Sequence, residues 1–497
     1  MNGTPPNNST RKKVVLRLTG RQHARLQSHL LPGDGCEAVA VALCGRHQDD
    51  DTEFLMVHRI VEIPYDECER APDRLHWTTE RLLPLAEEAA KKHLAILKVH
   101  SHPGGWADFS KWDDRSDLAL FPSLHGWTDD ERPHASAVML PDGRLFGRAA
   151  WDDGTFTALE TVQVAGDDLQ FWPGNFEDES DFSPNFRGEQ DENATPEFMR
   201  RHAQLFGRGT TERLRRLSVA VVGCSGTGSP TIEQLARLGV KRLVLVDPDR
   251  VEEKNLNRIY NTRMQDADEK RFKVDVLAGA VRAMELDVDV VPLATDLADA
   301  QTLRQVASCD LVFGCMDGSF GRNLLNVLSS YYLLPYFDMG VRLVASEDGG
   351  IDHVCGSVNY LQPDGSNLLA RHVYTIADLH AEGLKRQDPE AYAQRVQEKY
   401  IRGVREDRPA VISVNTLVSA LAVNEMLARL HPFRLDANER FAKFGISLEQ
   451  GETFHEAESD FEQPDARELR FLGRGELTPF LNRTDLEESV TQRAGMT

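Results

Sequence analysis

The sequence predicts an α/β protein in two parts: an N-terminal α+β domain, then a doubly wound, mostly parallel sheet with helices on both faces. Three observations predict it. At 497 residues the chain is too long for one hydrophobic core to serve well. From Val14 to about Leu159, short apolar runs such as "EAVAVALCG" and "EFLMVHRIVEI" alternate with the helical stretch "TTERLLPLAEEAAKKH". From Glu197 the order is a charged helix, the strand "LSVAVVG", a Gly-rich turn, the helix "PTIEQLARLG" and the strand "VKRLVLVD", and this alternation continues to about His431.

Taken in order, residues 1–13 are polar and then basic and are expected to form a disordered tail, and residues 14–159 form the first domain. Residues 160–196 are acidic and rich in Pro, Gly and Asn, which reads as a linker. Residues 197–435 form the second domain. Residues 436–497 open on the apolar run "RFAKFGISL", turn acidic, and are expected to be an extension wrapped on that domain.

Composition excludes several classes. With 41% hydrophobic and 27% charged residues the chain is neither fibrous nor wholly disordered. A formal net charge of −22 argues against nucleic acid as a ligand, because binding its backbone depends on Lys and Arg. No stretch approaches the ~18 consecutive apolar residues of a membrane helix, and the N-terminus lacks the apolar centre of a secretory signal. Seven scattered cysteines without a C-x-x-C read as reduced thiols. The expected location is cytoplasmic, with no membrane partner.

"HSHPGGWADFSKWDD" begins at His100. Positions two apart on a strand face the same way, so His100 and His102 point to one side, and Asp113 offers a third ligand. Two imidazoles and a carboxylate are a common open set for catalytic zinc. The same letters allow another reading, since Ser110 to Asp113 also fits a helix capping box. These residues resemble the JAMM-type zinc peptidases (MPN-domain metalloproteases), which cleave ubiquitin or ubiquitin-like proteins from their attachments. The resemblance spans roughly 14–159 and implies zinc on His100, His102 and Asp113, Glu37 as general base, and Ser110 as donor to the developing oxyanion.

"VAVVGCSGTGS" places Gly223, Gly226 and Gly228 between a strand and a helix, where backbone amides receive phosphate. Ser225 stands where a dinucleotide fingerprint has glycine. Asp247, ending the next strand, suits the ribose of NAD or of ATP. "DPDRVEEKNLNR", Lys273 and "DLVFGCMDGSFGRN" follow. This order resembles the ThiF/MoeB family and the ubiquitin-activating enzymes, over about 197–431. The resemblance implies adenylation of the C-terminal glycine of a ubiquitin-like protein with ATP and magnesium. It also implies ribose binding by Asp247, triphosphate contacts from Asn255, Arg258 and Lys273, and magnesium on Asp317. An arginine lent across a homodimer would be Arg201, with Arg200 almost equal. The paired C-x-x-C of many relatives is missing, so no second zinc is expected. The usual loop also lacks a cysteine, leaving Cys355 or Ser366 for any acyl intermediate.

Both sets concern the C-terminus of a ubiquitin-like protein. The expectation is therefore a bifunctional enzyme of a bacterial-type ubiquitin-like system that activates the modifier and processes or removes it, with a conjugating enzyme as a possible partner. The alternatives are a non-catalytic scaffold holding the modifier, activation of a sulfur-carrier protein, and a nicotinamide oxidoreductase built on the Gly-rich turn.

Overall fold

The computed structural model describes residues 11–175, 195–346, 348–398, 409–478 and 480–483. The expected tail therefore lies mostly outside the described residues, while Lys13 already belongs to a strand. By its contacts the chain divides into two units, the first formed by Met1–Phe182 with Phe471–Asn482, the second by Ser183–Arg470 with Arg483–Thr497.

The first unit runs β1 (Lys13–Thr19), α1 (Gly20–Leu30), β2 (Val39–Gln48), β3 (Thr52–Glu62), the hairpin β4 (Cys68–Ala71) and β5 (Arg74–Trp77), then α2 (Leu82–Lys92). It continues with β6 (Ala95–Ser101), α3 (Lys111–Thr128), β7 (His134–Met139), β8 (Leu145–Ala150), β9 (Phe156–Ala158), β10 (Thr161–Ala165) and β11 (Leu169–Pro173). One nine-stranded mixed sheet has the order β11-β10-β1-β3-β2-β6-β7-β8-β9. The unbroken apolar run of β2 follows from burial on both faces. Ala40, Ala42 and Cys44 join the core that contains Leu26 and Leu30 of α1. Val39, Val41 and Leu43 join the core under α2 and α3, with Leu85, Ala89, Phe121 and Leu124.

The expected linker, 160–196, is partly sheet. β10 pairs in parallel with β1, and β11 pairs antiparallel with β10. This pairing rejoins segments far apart in sequence, which a local reading of Pro, Gly and acidic residues cannot detect. Residues 176–194 lie outside the described residues.

The second unit runs α4 (Arg200–Leu214), β12 (Ser218–Val222), α5 (Gly228–Arg237), β13 (Arg242–Val246), α6 (Met264–Asp268), α7 (Lys273–Arg282), β14 (Asp289–Leu293) and α8 (Ala300–Ala307). Then come β15 (Leu311–Gly314), α9 (Ser319–Tyr332), β16 (Tyr336–Ala345), β17 (Ile351–Leu361), α10 (Ile376–Gln387), α11 (Pro389–Gln397) and α12 (Ile412–Leu430). The unit closes with β18 (Lys443–Ser447), β19 (Glu452–Glu456) and α13 (Ala466–Leu469). Its eight-stranded sheet has the order β14-β13-β12-β15-β16-β17-β18-β19. The first five of these strands pair in parallel, four of the seven pairings, and the last three add antiparallel pairs, so the sheet is mixed with a parallel majority. Strand order reverses between β12 and β15, which opens a crevice beyond their carboxyl ends.

The expected extension, 436–497, divides. β18 and β19 are strands of the second sheet, whereas Phe471–Asn482 belongs to the first unit. There Gly473 accepts the Gly45 amide at 3.2 Å, and Glu476 donates its own amide to Arg46 at 3.0 Å. A Cβ on Gly473 would lie 2.3 Å from the Val57 carbonyl oxygen, so only glycine allows this approach.

Candidate functional site

In the first unit, β6 turns its even-numbered residues toward α3, and Ile96 packs in the core beneath that helix. His100 follows the same parity. Ser110 and Asp113 form the capping box that starts α3, with the Ser110 amide 2.7 Å from Asp113 Oδ2 and the Asp113 amide 3.2 Å from Ser110 Oγ. The cap and the ligand readings therefore coexist: capping turns the Asp113 carboxylate inward. His100 Nε2 lies 2.9 Å from Asp113 Oδ1, and His102 Nε2 lies 3.3 Å from Asp113 Oδ2. The two imidazole Nε2 atoms are 3.2 Å apart.

Among the described residues this is the one group of three or more His, Cys, Asp or Glu whose donor atoms all lie within 4.8 Å of one another. All three residues are buried. His102 Nδ1 donates to the Trp106 carbonyl at 2.8 Å, which leaves the Nε2 lone pair facing the cluster. Two ring nitrogens at that separation need a proton or a cation between them, and the nearby carboxylate supplies the countercharge. The donor set fits a divalent metal of zinc type. Burial opposes ionisation of Asp113, yet hydrogen bonds with His100 and His102 hold its carboxyl well below the usual carboxylate range.

β2 and β6 are antiparallel with Val39 opposite His100, so Glu37, two residues before, falls beside His102. Glu37 is buried, and burial pushes its carboxyl up to about 7 against the pull of His102. Behind the cluster, Lys98 Nζ sits 2.7 Å from Asp117 Oδ1, and Arg148 reaches Asp117 Oδ2 at 2.8 Å. These ion pairs join β6, α3 and β8 one turn from Asp113. Composition and spacing alone do not reveal them.

The second unit holds a cavity of about 870 Å³ at the crevice beyond β12, β13 and β15. Gly223, Asp247, Asn255, Arg258, Lys273 and Asp317 line it. Asp247 is buried and accepts the Cys224 amide at 2.7 Å and the Asp249 amide at 2.9 Å. Burial raises its carboxyl above the ordinary range while Lys273 opposes the shift. The Lys273 ammonium is itself buried, 2.7 Å from Asp249 and 3.8 Å from Asp247. Arg258 donates to the Lys254 carbonyl at 2.7 Å, and Asp317 is exposed.

The glycines do not share one role. Gly223 has φ +93° and lines the cavity. Gly226 and Gly228 do not line it. A Cβ on Gly228 would lie 1.9 Å from the Gly223 carbonyl oxygen, and one on Gly226 would lie 2.3 Å from Asn415 Nδ2, so the backbone approaches closely at both positions. Arg201 and Arg200 are exposed on α4, away from this cavity.

Residues missed in the sequence include Glu382, Lys385 and Arg386 of α10, which line the cavity. Glu382 accepts the first amides of α9, from Ser319 at 3.1 Å and Phe320 at 2.7 Å. Arg386 pairs with Asp296 at 3.0 Å. Ser366 does not fit an acyl acceptor. It is 1% exposed, its Oγ accepts from Arg371 at 2.9 Å, and its amide donates to Glu458 at 2.5 Å. Cys355 lies half-buried in β17, its thiol raised by burial.

Among the described residues no helix is long and apolar enough to cross a membrane.

Curated relatives match part of the chain. Ubiquitin-like modifier-activating enzyme 5 of Aedes aegypti is 29% identical over 171 residues, covering 32% of this chain and 40% of its own. The protein of that name from Culex quinquefasciatus is 30% identical over 164 residues, 31% of this chain and 38% of its own. That from Drosophila ananassae is 31% identical over 173 residues, 32% and 40% respectively. The match thus spans about two fifths of these relatives' length. A crystal structure of E. coli MccB with ATP aligns with 54% of this chain and 73% of its own at 16% identity, with a TM-score of 0.41. The ThiF family model matches residues 199–464, more than half of the chain, and the chain belongs to the ThiF family.

Proposed function

We propose that the second unit adenylates the C-terminal glycine of a ubiquitin-like or sulfur-carrier protein, and that the first unit is a JAMM-type zinc peptidase acting on the same class of tail. The observation that carries the first half is the cavity that gathers Asp247, Asn255, Arg258, Lys273 and Asp317 at the strand-order reversal of a ThiF-family domain. The substrate carboxylate attacks the α-phosphorus of ATP, the bond to the bridging oxygen breaks, and pyrophosphate leaves with the electron pair. Asp247 holds the ribose, Asn255, Arg258 and Lys273 meet the phosphates, and Asp317 holds magnesium. The buried Lys273 ammonium, with the half-exposed Arg258, suits this step because negative charge builds on the phosphate oxygens. Such a need has no counterpart in hydride transfer, which sets the nicotinamide reading aside.

The second half is supported by convergence of His100, His102 and Asp113 on one point. A zinc ion bound there supplies Lewis acidity toward a scissile carbonyl and its attacking water. Glu37 takes a proton at its carboxylate and returns it to the leaving amine. The Ser110 hydroxyl accepts the Asp113 amide and keeps its own proton for a developing oxyanion. In this reading the protein is a cytoplasmic homodimer that lends Arg201 to its partner's nucleotide and hands the adenylate to a conjugating enzyme or a target.

Mixing the protein with ATP and a ubiquitin-fold protein ending in an exposed glycine tests the reading. Pyrophosphate release that depends on that glycine is expected, and its absence overturns the adenylation half. Purified protein is expected to contain zinc, and 1,10-phenanthroline is expected to stop isopeptide cleavage while pyrophosphate release continues. Zinc-free protein that still cleaves overturns the peptidase half.

A further inference from the structure

We propose that Arg70 is the positioning residue for Glu37, fixing from the β4–β5 hairpin the direction in which that carboxylate enters the His100–His102–Asp113 cluster. The inference rests on the peptidase reading and deepens it. Among the described residues the Glu37 carboxylate has no hydrogen-bond partner, so its aim is set through its main chain. That main chain is poorly determined by its own sequence: Gly33 and Gly35 have φ of +90° and +74°, and no atom lies within 4 Å of where their Cβ would sit. A segment of this kind needs outside contacts to hold one conformation, because glycine gains the most entropy on release.

Arg70 supplies those contacts. Its Nε donates to the Glu37 carbonyl at 2.8 Å, and its Nη2 donates to the Cys36 carbonyl at 3.2 Å. The guanidinium also pairs with Asp34 through both terminal nitrogens, at 2.8 and 3.2 Å. One of its faces lies over the Tyr65 ring, 4.2 Å from the centroid. Tyr65 is fixed in turn by a 2.7 Å hydrogen bond from its hydroxyl to the His29 carbonyl and by stacking on the His29 ring. Next along the hairpin, the Ala71 carbonyl accepts the Glu37 amide at 3.0 Å. A planar fork that serves two carbonyls, a carboxylate and an aromatic face together is chemistry that lysine cannot reproduce.

The expected zinc ligands stand on β6, just past its end and on α3, outside this clamp, which makes the roles separable. Zinc-loaded Arg70→Met protein is expected to keep its full zinc content, while the Glu37 amide exchanges with solvent at least about tenfold faster. On a fluorogenic amide whose acyl side ends in Gly-Gly, kcat is expected to fall by about 10- to 100-fold with KM changed less than about twofold. Arg70→Lys is expected to restore little of it. In a Glu37→Gln background Arg70→Met is expected to cause no further loss, since the two act through one carboxylate. Should Arg70→Met not fold, Asp34→Asn removes only one partner of the guanidinium and is expected to give a smaller acceleration of the same amide. Unchanged exchange, loss of zinc, or an undiminished effect of Arg70→Met in the Glu37→Gln background overturns the inference alone. Wild-type protein that holds zinc and leaves the probe intact, or full activity of Glu37→Gln, overturns the peptidase reading beneath it.

Discussion

The donor cluster of the first unit and the cavity of the second are built in opposite ways. A strand residue, the residue just past that strand's end and an aspartate of the α3 capping box bring the first to a point: His100, His102 and Asp113 already touch one another, with the ring of His102 held by the Trp106 carbonyl. The second is a wide crevice whose groups face different neighbours. Lys273 is held by Asp249, Arg258 bonds the Lys254 carbonyl, and Asp317 faces solvent. The lesson concerns preorganisation. Donor atoms that local structure brings within 4.8 Å of one another suit a small cation, whereas a cavity of about 870 Å³ with its charged groups dispersed suits a larger ligand.

If that contrast is right, the two sites fail independently and to different degrees. In the peptidase reading, His100→Ala removes a ligand from a set with no spare donor among the described residues. Metal analysis should show near-complete loss of zinc, and peptide cleavage should fall on the order of 10³-fold or more, since the ion is worth several kcal/mol. Pyrophosphate release should be unaffected. Lys273→Met should do the reverse, slowing glycine-dependent pyrophosphate release by about 10²- to 10³-fold while zinc content stays constant. Cross-effects of either substitution on the other reaction would break the comparison.

Rigidity of the first site has a structural source that can be tested separately. Asp117 is buried between Lys98 and Arg148, which come from β6 and β8. Asp117→Asn leaves the buried Lys98 ammonium without its carboxylate and Arg148 with Asp114 alone, which should cost about 3–5 kcal/mol of unfolding free energy in denaturant titrations. Zinc affinity should drop with it, because α3 carries both Asp117 and Asp113. A variant that loses the stability but binds zinc as before would mean that the cluster does not depend on this anchoring.

The same contrast explains what the sequence discloses. His100, His102, Ser110 and Asp113 are legible because strand parity and a capping box are local rules, and Asp247 because it closes the strand that follows the Gly-rich turn and its helix. Glu382 is not, since nothing near it announces that α10 lines the cavity and caps α9. Nor is the return of Phe471–Asn482 to the first unit, or the parallel pairing of β10 with β1, because both depend on partners hundreds of residues away or across the domain. Close packing requires glycine at Gly226 and Gly228, a constraint that spacing alone does not announce. Arg70 escapes for a similar reason: its side chain, 33 positions along the chain from Glu37, reaches that residue only at its main-chain carbonyl.

The smallest effect discriminates most finely. Ser110 accepts the Asp113 amide as the N-cap of α3 and, in the peptidase reading, also donates to the oxyanion. Ser110→Ala loses both roles and should destabilise the fold by about 1 kcal/mol, as expected for a lost cap. Ser110→Asn keeps a capping oxygen and should recover most of that stability. Cleavage should stay low in both, because asparagine restores the cap without placing a hydroxyl at the same point. Recovery of cleavage along with stability in Ser110→Asn would show that Ser110 serves Asp113 alone, and that the first site owes its readiness to helix capping and nothing more.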